Sequence, residues 1–177
     1  MATLETTDKD NTDKLVKELK YIENHEIYVG ILGKSDSELM LIATVSEFGA
    51  IIPVTEKMRK FFLAKYINGE ISHPIGRNTV QIIIPERPYI RGSFDSQKSK
   101  QKINNFIDTN LNKVFEMQIT GKQFLEMLGI FVVGIIQEYM TDLRRPKNAP
   151  MTRELKGSSN PLIDTGRLRQ AITYRIV

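Results

Sequence analysis

Two arginines flank an aromatic residue in a proline-bounded segment near the middle of this 177-residue chain. Arg87 and Arg91 lie on either side of Tyr89, and Pro85 and Pro88 remove two backbone donors from the same segment. A guanidinium group makes bidentate contacts with carboxylates and with phosphates. We therefore expect these arginines to fix a corner of the chain and to meet an acidic neighbour, with phosphate binding as the alternative.

The acidic and histidine side chains do not form a recognisable catalytic set. Glu47 precedes Phe48 and Gly49 at a predicted helix end, and no second acid or histidine is positioned with it, so a structural ion pair is favoured. The two histidines have no second nitrogen or sulfur ligand at metal-ligand spacing, and the chain has no cysteine. Local motifs supply neither a nucleophile with its base nor a glycine-rich phosphate loop. The sequence therefore predicts a protein that is not an enzyme and that binds no cofactor and no metal.

Positive charge is concentrated in residues 144–169, where seven basic side chains stand against two acidic ones. Residues 1–24 have the opposite balance, with six acids against four lysines. The basic segment lacks the interleaved aromatic residues that favour single-strand binding, and it has no helix-turn-helix pattern. We therefore expect a charged interface arm, and we keep a basic nucleic-acid-binding protein as the alternative.

The periodicity of apolar residues predicts an α+β fold, in which a small antiparallel or mixed sheet packs against two long helices with shorter helices at the periphery. We expect three strands to form one sheet: residues 25–32, 78–84 and 172–177. The long helices are predicted over residues 93–115 and 120–140, and a capping-box pattern at Thr120 and Gln123 opens the second. Shorter helices are predicted over residues 11–24, over 37–48, from Thr55, and over 166–171 with Asp164 as the cap.

The remaining segments divide the chain into a flexible N-terminal tail, residues 1–10, and a single domain, residues 11–177. Within that domain, residues 144–160 form a predicted loop that is long for a compact domain. No apolar run approaches the roughly 20 residues that span a bilayer, and the first residues lack a signal-peptide pattern. We therefore expect a soluble product of the cytoplasm without a membrane partner.

Three segments, in this order, carry a resemblance to a known family. They are ATVSEFG at residues 43–49, IPERPYIRGSFD at 84–95, and PLIDTGRLRQAITYRIV at 161–177. Together they resemble the tail-completion and neck proteins of long-tailed bacteriophages, which act in virion morphogenesis. The chain departs from the short family pattern at residues 55–76, which resemble an insertion within the domain.

This resemblance implies a structural virion protein of the phage neck, a head-tail connector that joins the capsid portal assembly to the tail. It implies a homo-oligomeric ring, with a hexamer favoured and a dodecamer possible, and contacts with neighbouring neck, connector and tail proteins. DNA would at most pass through the lumen. The protein would be made in the host cytoplasm and would reside in the virion, at the neck or the head-proximal end of the tail.

Ten residues are expected to fix the structure or to form the assembly contacts. We predict a Glu47–Arg87 contact at the corner, and we predict that the basic loop 144–160 and the tail 1–10 lie at the ring's contacts. The loop is expected to be mobile in the free subunit and to order against an acidic surface on docking. The ten residues are Glu47, Arg87, Tyr89, Arg91, Arg144, Arg145, Arg153, Lys156, Asp164 and Arg167.

Overall fold

The fold combines helices with two small antiparallel sheets. The computed structural model describes residues 11–32, 36–156 and 160–177. The predicted α+β class is confirmed, with small strand pairs packed on helices. The strands of the described part are β1 (Ile27–Ile31), β2 (Ala50–Pro53), β3 (Gln81–Ile84) and β4 (Ile172–Ile176).

The strands do not form the single sheet that was expected. β1 pairs with β4, as the alternating pattern of β4 predicted, but β3 pairs only with β2. The prediction missed β2, because its four residues end in Pro53 and are too short to show alternation. Because β3 pairs with β2, it forms no strand pair with β1 or β4 in the described part of the chain.

One helix prediction and one loop prediction were wrong in detail. The helix expected over residues 93–115 is two helices, because Ser96 adopts an extended conformation with φ −63° and ψ 124°. The region expected to be a loop, 144–160, contains a helix whose seven residues are too few to show periodicity. The described helices are α1 (Thr12–Glu23), α2 (Ser37–Phe48), α3 (Glu56–Ile67), α4 (Tyr89–Asp95), α5 (Gln97–Phe115), α6 (Gly121–Asp142), α7 (Pro150–Lys156) and α8 (Arg167–Gln170).

Helix α6 lies at the centre of the fold. It opens with the predicted capping box, in which Thr120 accepts from the Gln123 backbone while the Gln123 side chain accepts from the Thr120 backbone. It packs against α1, α4, α5, β1 and β4. Tyr174 of β4 crosses α6 at Gly129, where a Cβ atom would overlap the tyrosine ring. A glycine is therefore needed for the close approach of the strand to the helix.

Two further predictions concern residues 1–10 and the start of α8. The predicted tail, residues 1–10, lies outside the described residues. The predicted cap of α8 is wrong, because the helix begins after Gly166 without a side-chain cap and Asp164 is exposed. The positive φ of Gly166, 82°, makes the turn that starts this helix.

Candidate functional site

The carboxylate of Glu47 is the centre of the strand-helix corner. Glu47 lies at the end of α2 and is 5% exposed. Its Oε2 accepts the Ile90 backbone N–H at 3.0 Å, and its Oε1 accepts the Arg91 backbone N–H at 3.1 Å. These N–H groups belong to the first turn of α4, which has no intrahelical partners for them. Glu47 of α2 therefore accepts hydrogen bonds from two backbone N–H groups at the start of α4 that have no partner within that helix.

Arg91 is the charged partner of Glu47. Its Nε donates to Glu47 Oε1 at 3.0 Å, and its Nη2 donates to the Glu47 backbone carbonyl at 2.9 Å. Glu86 adds a contact at 3.3 Å, and the guanidinium lies 5.0 Å from the centre of the Phe48 ring. The hydrogen bond that Arg91 donates to the Glu47 carboxylate raises the pKa of Arg91. The predicted Glu47–Arg87 contact is therefore wrong in its arginine, since Arg91 in the first turn of α4 reaches the carboxylate instead.

Arg87 instead holds the chain that follows α6. It is 7% exposed, and its Nε donates to the Pro146 carbonyl at 3.0 Å. Its Nη2 donates to the Lys147 carbonyl at 3.3 Å and to Asn148 Oδ1 at 3.1 Å. Burial lowers the pKa of this guanidinium. All of these acceptors are neutral, so Arg87 fixes residues 146–148 to the corner without forming an ion pair among the described residues.

Tyr89 connects the corner to the core. It is 1% exposed, and burial, together with the nearby charge of Glu47, raises its pKa to about 12. It belongs to an apolar cluster that gathers side chains from all three segments carrying the family resemblance. The cluster consists of Ala43, Tyr89, Val132, Ile136, Met140, Leu162, Leu168 and Ile172.

The basic residues of segments 144–160 and 161–177 contact several different parts of the fold. Arg144 and Arg169 both donate to Thr141 near the end of α6. Arg167 binds Asp36 at 2.9 Å and Glu38 at 3.6 Å, which joins α8 to the start of α2. Arg145 and Arg153 are exposed on the surface.

Lys156 and Asp164 border a cavity of about 630 Å³ between α7 and the segment that carries α3. The Lys156 ammonium donates to the Asn160 carbonyl at 2.8 Å, and burial lowers its pKa while Asp164 opposes this shift. Asp164 itself is exposed. The lining is largely apolar and includes Phe62, Ile82, Met151 and Leu155.

Sequence reasoning missed Asn160, which organises the segment before α8. Its Oδ1 accepts the backbone N–H groups of Leu162 and Ile163 at 2.9 and 3.0 Å, and its Nδ2 donates to the Thr141 carbonyl. An asparagine that precedes a proline favours such a turn, so the pair Asn160-Pro161 contained the signal.

Within residues 11–32, 36–156 and 160–177, no group of three or more His, Asp or Glu side chains has the arrangement of a metal site. In the same residues, α6 is long and apolar enough to cross a membrane by length and composition alone. Five elements of the fold pack around it, as they do around the core helix of a folded domain.

Comparison with known proteins gives no relative. No family model, no curated protein and no solved structure matches this chain.

Proposed function

We propose that this protein is a structural component of a bacteriophage virion, a neck or tail-completion subunit that joins the capsid portal assembly to the tail. Its role is assembly rather than catalysis. The proposal is supported by the resemblance of residues 43–49, 84–95 and 161–177 to that family, and by the contacts that these segments make with one another.

The convergence of these three segments is the observation that carries the proposal. Ala43 from the first segment, Tyr89 from the second and Leu168 from the third lie in the same buried cluster. Glu47 of the first segment binds Arg91 of the second. The residues that carry the resemblance therefore build the fold, which is the role expected of such residues in a structural protein.

Removing the protein from its virus tests this role. A stop codon placed early in the reading frame should give filled heads and separate tails, because the two would lack their joining piece. Density-gradient separation and electron microscopy measure both products. The wild-type chain supplied in trans is the control and should restore joined particles. Infectious particles formed without the chain would overturn the proposal.

We further propose that the subunits form a ring, a hexamer in the first instance and a dodecamer in the second, which contacts neck, connector and tail proteins. Quantitative mass spectrometry of purified particles gives the number of chains per virion. A copy number that is not a multiple of six would contradict the proposed ring.

A basic nucleic-acid-binding protein is the second candidate, and the exposed basic side chains after α6 favour it. Arg145, Lys147 and Arg153 are exposed on the surface. A DNA-binding protein loses affinity steeply as salt rises, because its contacts release counterions from the phosphates. Fluorescence anisotropy with duplex and single-stranded DNA at several salt concentrations separates the candidates. Tight, steeply salt-dependent binding would favour the DNA-binding function.

A further inference from the structure

The arm, residues 50–84, consists of β2, α3, β3 and their connections, and it leaves and rejoins the rest of the fold at one place. A Cβ atom on Gly49, the residue before the arm, would lie 2.8 Å from the Ile84 carbonyl oxygen at its other end. Pro85 follows directly. β2, α3 and β3 make no extensive contact with a helix or strand of the described part outside the arm. A unit joined to a body through two neighbouring chain ends can turn about them as a hinge.

Contacts within the arm allow it to turn as one unit. β2 and β3 pair along their whole length. Arg59 of α3 donates to the carbonyls of Gly76 and Thr79 at 2.9 and 2.7 Å, which fixes the connection before β3 to the helix. Lys65 binds Glu70 just after the end of α3.

The arm meets α7 through a single carboxylate. Oε2 of Glu154 accepts the Ser72 backbone N–H at 2.9 Å, and its Oε1 accepts the Ser72 hydroxyl at 2.7 Å. These hydrogen bonds lower the pKa of Glu154, so the carboxylate is charged at neutral pH. Ile71, the residue before Ser72, is 3% exposed and is the one buried residue of the arm, all of which the structure describes. The most buried point of the arm is therefore next to this contact.

The arm and α7 are incompletely packed beside this contact. The cavity of about 630 Å³ lies between them, with Phe62 and Ile82 lining it from the arm and Met151 and Leu155 lining it from α7. A folded interior has few voids larger than a water molecule, so the two parts do not pack as a core does. The arm can therefore separate from α7 without breaking a close-packed contact.

α7 is the fixed side of the contact. Arg87 holds residues 146–148, which precede α7, and Lys156 at its end donates to the Asn160 carbonyl at 2.8 Å. Asn160 in turn donates to the carbonyl of Thr141 in α6. Both ends of α7 are thus tied to the body of the fold, and the arm is the part that can turn.

We propose that Glu154 and Ser72 form a latch that holds the arm closed against α7, and that releasing the latch lets the arm turn about Gly49 and Pro85 and uncover the cavity. Both latch residues are exposed, so water competes for their hydrogen bonds and the latch is reversible. Neither apolar cluster of the described part contains an arm residue, so opening leaves the core intact. This inference goes beyond the proposed function and does not depend on it.

Pulsed electron–electron resonance between two spin labels measures the position of the arm, because the chain has no cysteine of its own. Ile67→Cys in the arm and Ile130→Cys in α6 place the labels at positions that are 74% and 62% exposed. The labelled chain with its latch intact should give one narrow distance distribution. Adding Glu154→Ala should populate a second distance several-fold more. An unchanged distribution, or a broad one while the latch is intact, would overturn the proposal.

Glu38→Ala is the matched control for Glu154→Ala. Glu38 is also an exposed helix carboxylate that reaches a distant segment, since it lies 3.6 Å from Arg167 of α8. It lies outside the arm and α7, so its removal should leave the distance distribution unchanged. An equal shift in Glu38→Ala would show that the loss of any surface carboxylate loosens the arm, and would overturn the proposal.

Ser72→Ala tests the other half of the latch. It keeps the backbone N–H, so it should shift the distribution in the same direction as Glu154→Ala but less. A chain with both substitutions should be no more open than Glu154→Ala alone, because the two remove the same contact. Additive shifts would show that Ser72 and Glu154 act separately and would overturn the latch.

The access of a thiol reagent to the cavity gives an independent measurement. Ile82→Cys lines the cavity from the arm, at a position that is only partly exposed. Its rate of reaction with a maleimide, followed by mass spectrometry, should rise several-fold when Glu154→Ala is added, whereas Ile130→Cys should react equally fast with and without the latch. An unchanged rate at Ile82→Cys would show that the cavity is not uncovered and would overturn the proposal. The stop-codon experiment decides the virion role separately.

Discussion

At the residue scale, Glu47 joins two parts of the chain through a single carboxylate. Its two oxygens accept from two backbone N–H groups and from the Arg91 guanidinium. The sequence predicted that Glu47 would be structural and would contact Arg87, whereas its carboxylate binds Arg91. Arg87 precedes α4 and Arg91 lies in its first turn, so the direction of the chain after Pro88 decides which of them faces α2.

Glu47→Gln should destabilise the protein, because a neutral amide accepts these hydrogen bonds more weakly. The Arg91 side chain is half exposed, so water can hydrogen-bond to it when Glu47 is replaced. We therefore expect the free energy of unfolding to fall by about 1–3 kcal/mol, less than for a fully buried ion pair. Urea denaturation measures it. Glu86→Gln, which removes the exposed partner of Arg91, should cost about 0–1 kcal/mol. Equal losses in the two variants would contradict the role assigned to Glu47.

Tyr89 should make the protein sensitive to alkali. Its pKa is about 12 in the fold and about 10 in an unfolded chain, so the unfolded state loses its proton first as the pH rises. The stability due to the neutral phenol is present below pH 10 and is lost between about pH 10 and 12. Across this window the free energy of unfolding should fall by about 2–3 kcal/mol. Tyr89→Phe should show a shallower decline of stability across this window, and identical pH profiles would contradict the assignment.

Arg87 should control the access of proteases to the segment after α6. Arg87→Lys loses the fork geometry that reaches three acceptors in residues 146–148. We expect trypsin to cleave after Arg144 and Lys147 several-fold faster, whereas the Arg145-Pro146 bond resists trypsin in either variant. Arg59→Lys is the control, since Arg59 binds the carbonyls of Gly76 and Thr79 within the arm. Cleavage that is unchanged in Arg87→Lys would show that the guanidinium does not hold this segment.

At the element scale, the sequence predicted the elements that have clear periodicity and missed those defined by their partners. The apolar pattern of α6, its capping box and the alternation of β4 were visible because each repeats over several residues. β2 and α7 are too short to repeat, so nothing in their own residues distinguishes them from loops. The candidate site was predictable in its residue types but not in its pairings, which depend on how α2, α4 and α7 meet.

Gly49 fixes the direction of the chain between α2 and β2. Its φ is 73°, and a Cβ atom would lie 2.8 Å from the Ile84 carbonyl oxygen, so Gly49→Ala adds both backbone strain and a clash with β3. We expect a loss of about 2 kcal/mol or more in urea denaturation. Gly134→Ala is the control, because it lies in the middle of α6 with open space around it and should be neutral or stabilising by up to about 1 kcal/mol. A Gly49→Ala variant with the same free energy of unfolding as the wild type would contradict the need for glycine at this junction.

At the scale of the whole molecule, β4 closes the fold onto β1 and α6. Ile27 pairs with Ile176, and the backbone groups of Glu26 and Val177 exchange two further hydrogen bonds at 2.9 and 3.0 Å. Ile172 is 3% exposed in the main cluster, and Ile176 packs on the cluster around Val114. β4 therefore belongs to both apolar clusters.

Ending the chain after Ala171 should abolish cooperative unfolding, since α6 and β1 would both lose their cover. Circular dichroism during thermal denaturation should show a broad change without a transition. Val177→Ala is the control: its side chain is 56% exposed, and the change should stay within about 0.5 kcal/mol. A sharp transition in the shortened chain would show that the rest of the fold is stable without β4.

The pairing of β1 with β4 also sets an order of events during protein synthesis. β1 leaves the ribosome long before β4, its partner strand much further along the chain. The helices can form as they emerge, because their hydrogen bonds are local, but the main cluster waits for Ile172. A nascent chain thus keeps the β1 edge and one side of α6 uncovered until translation has passed residue 176. Products of interrupted translation are therefore expected to be substrates for chaperones and proteases.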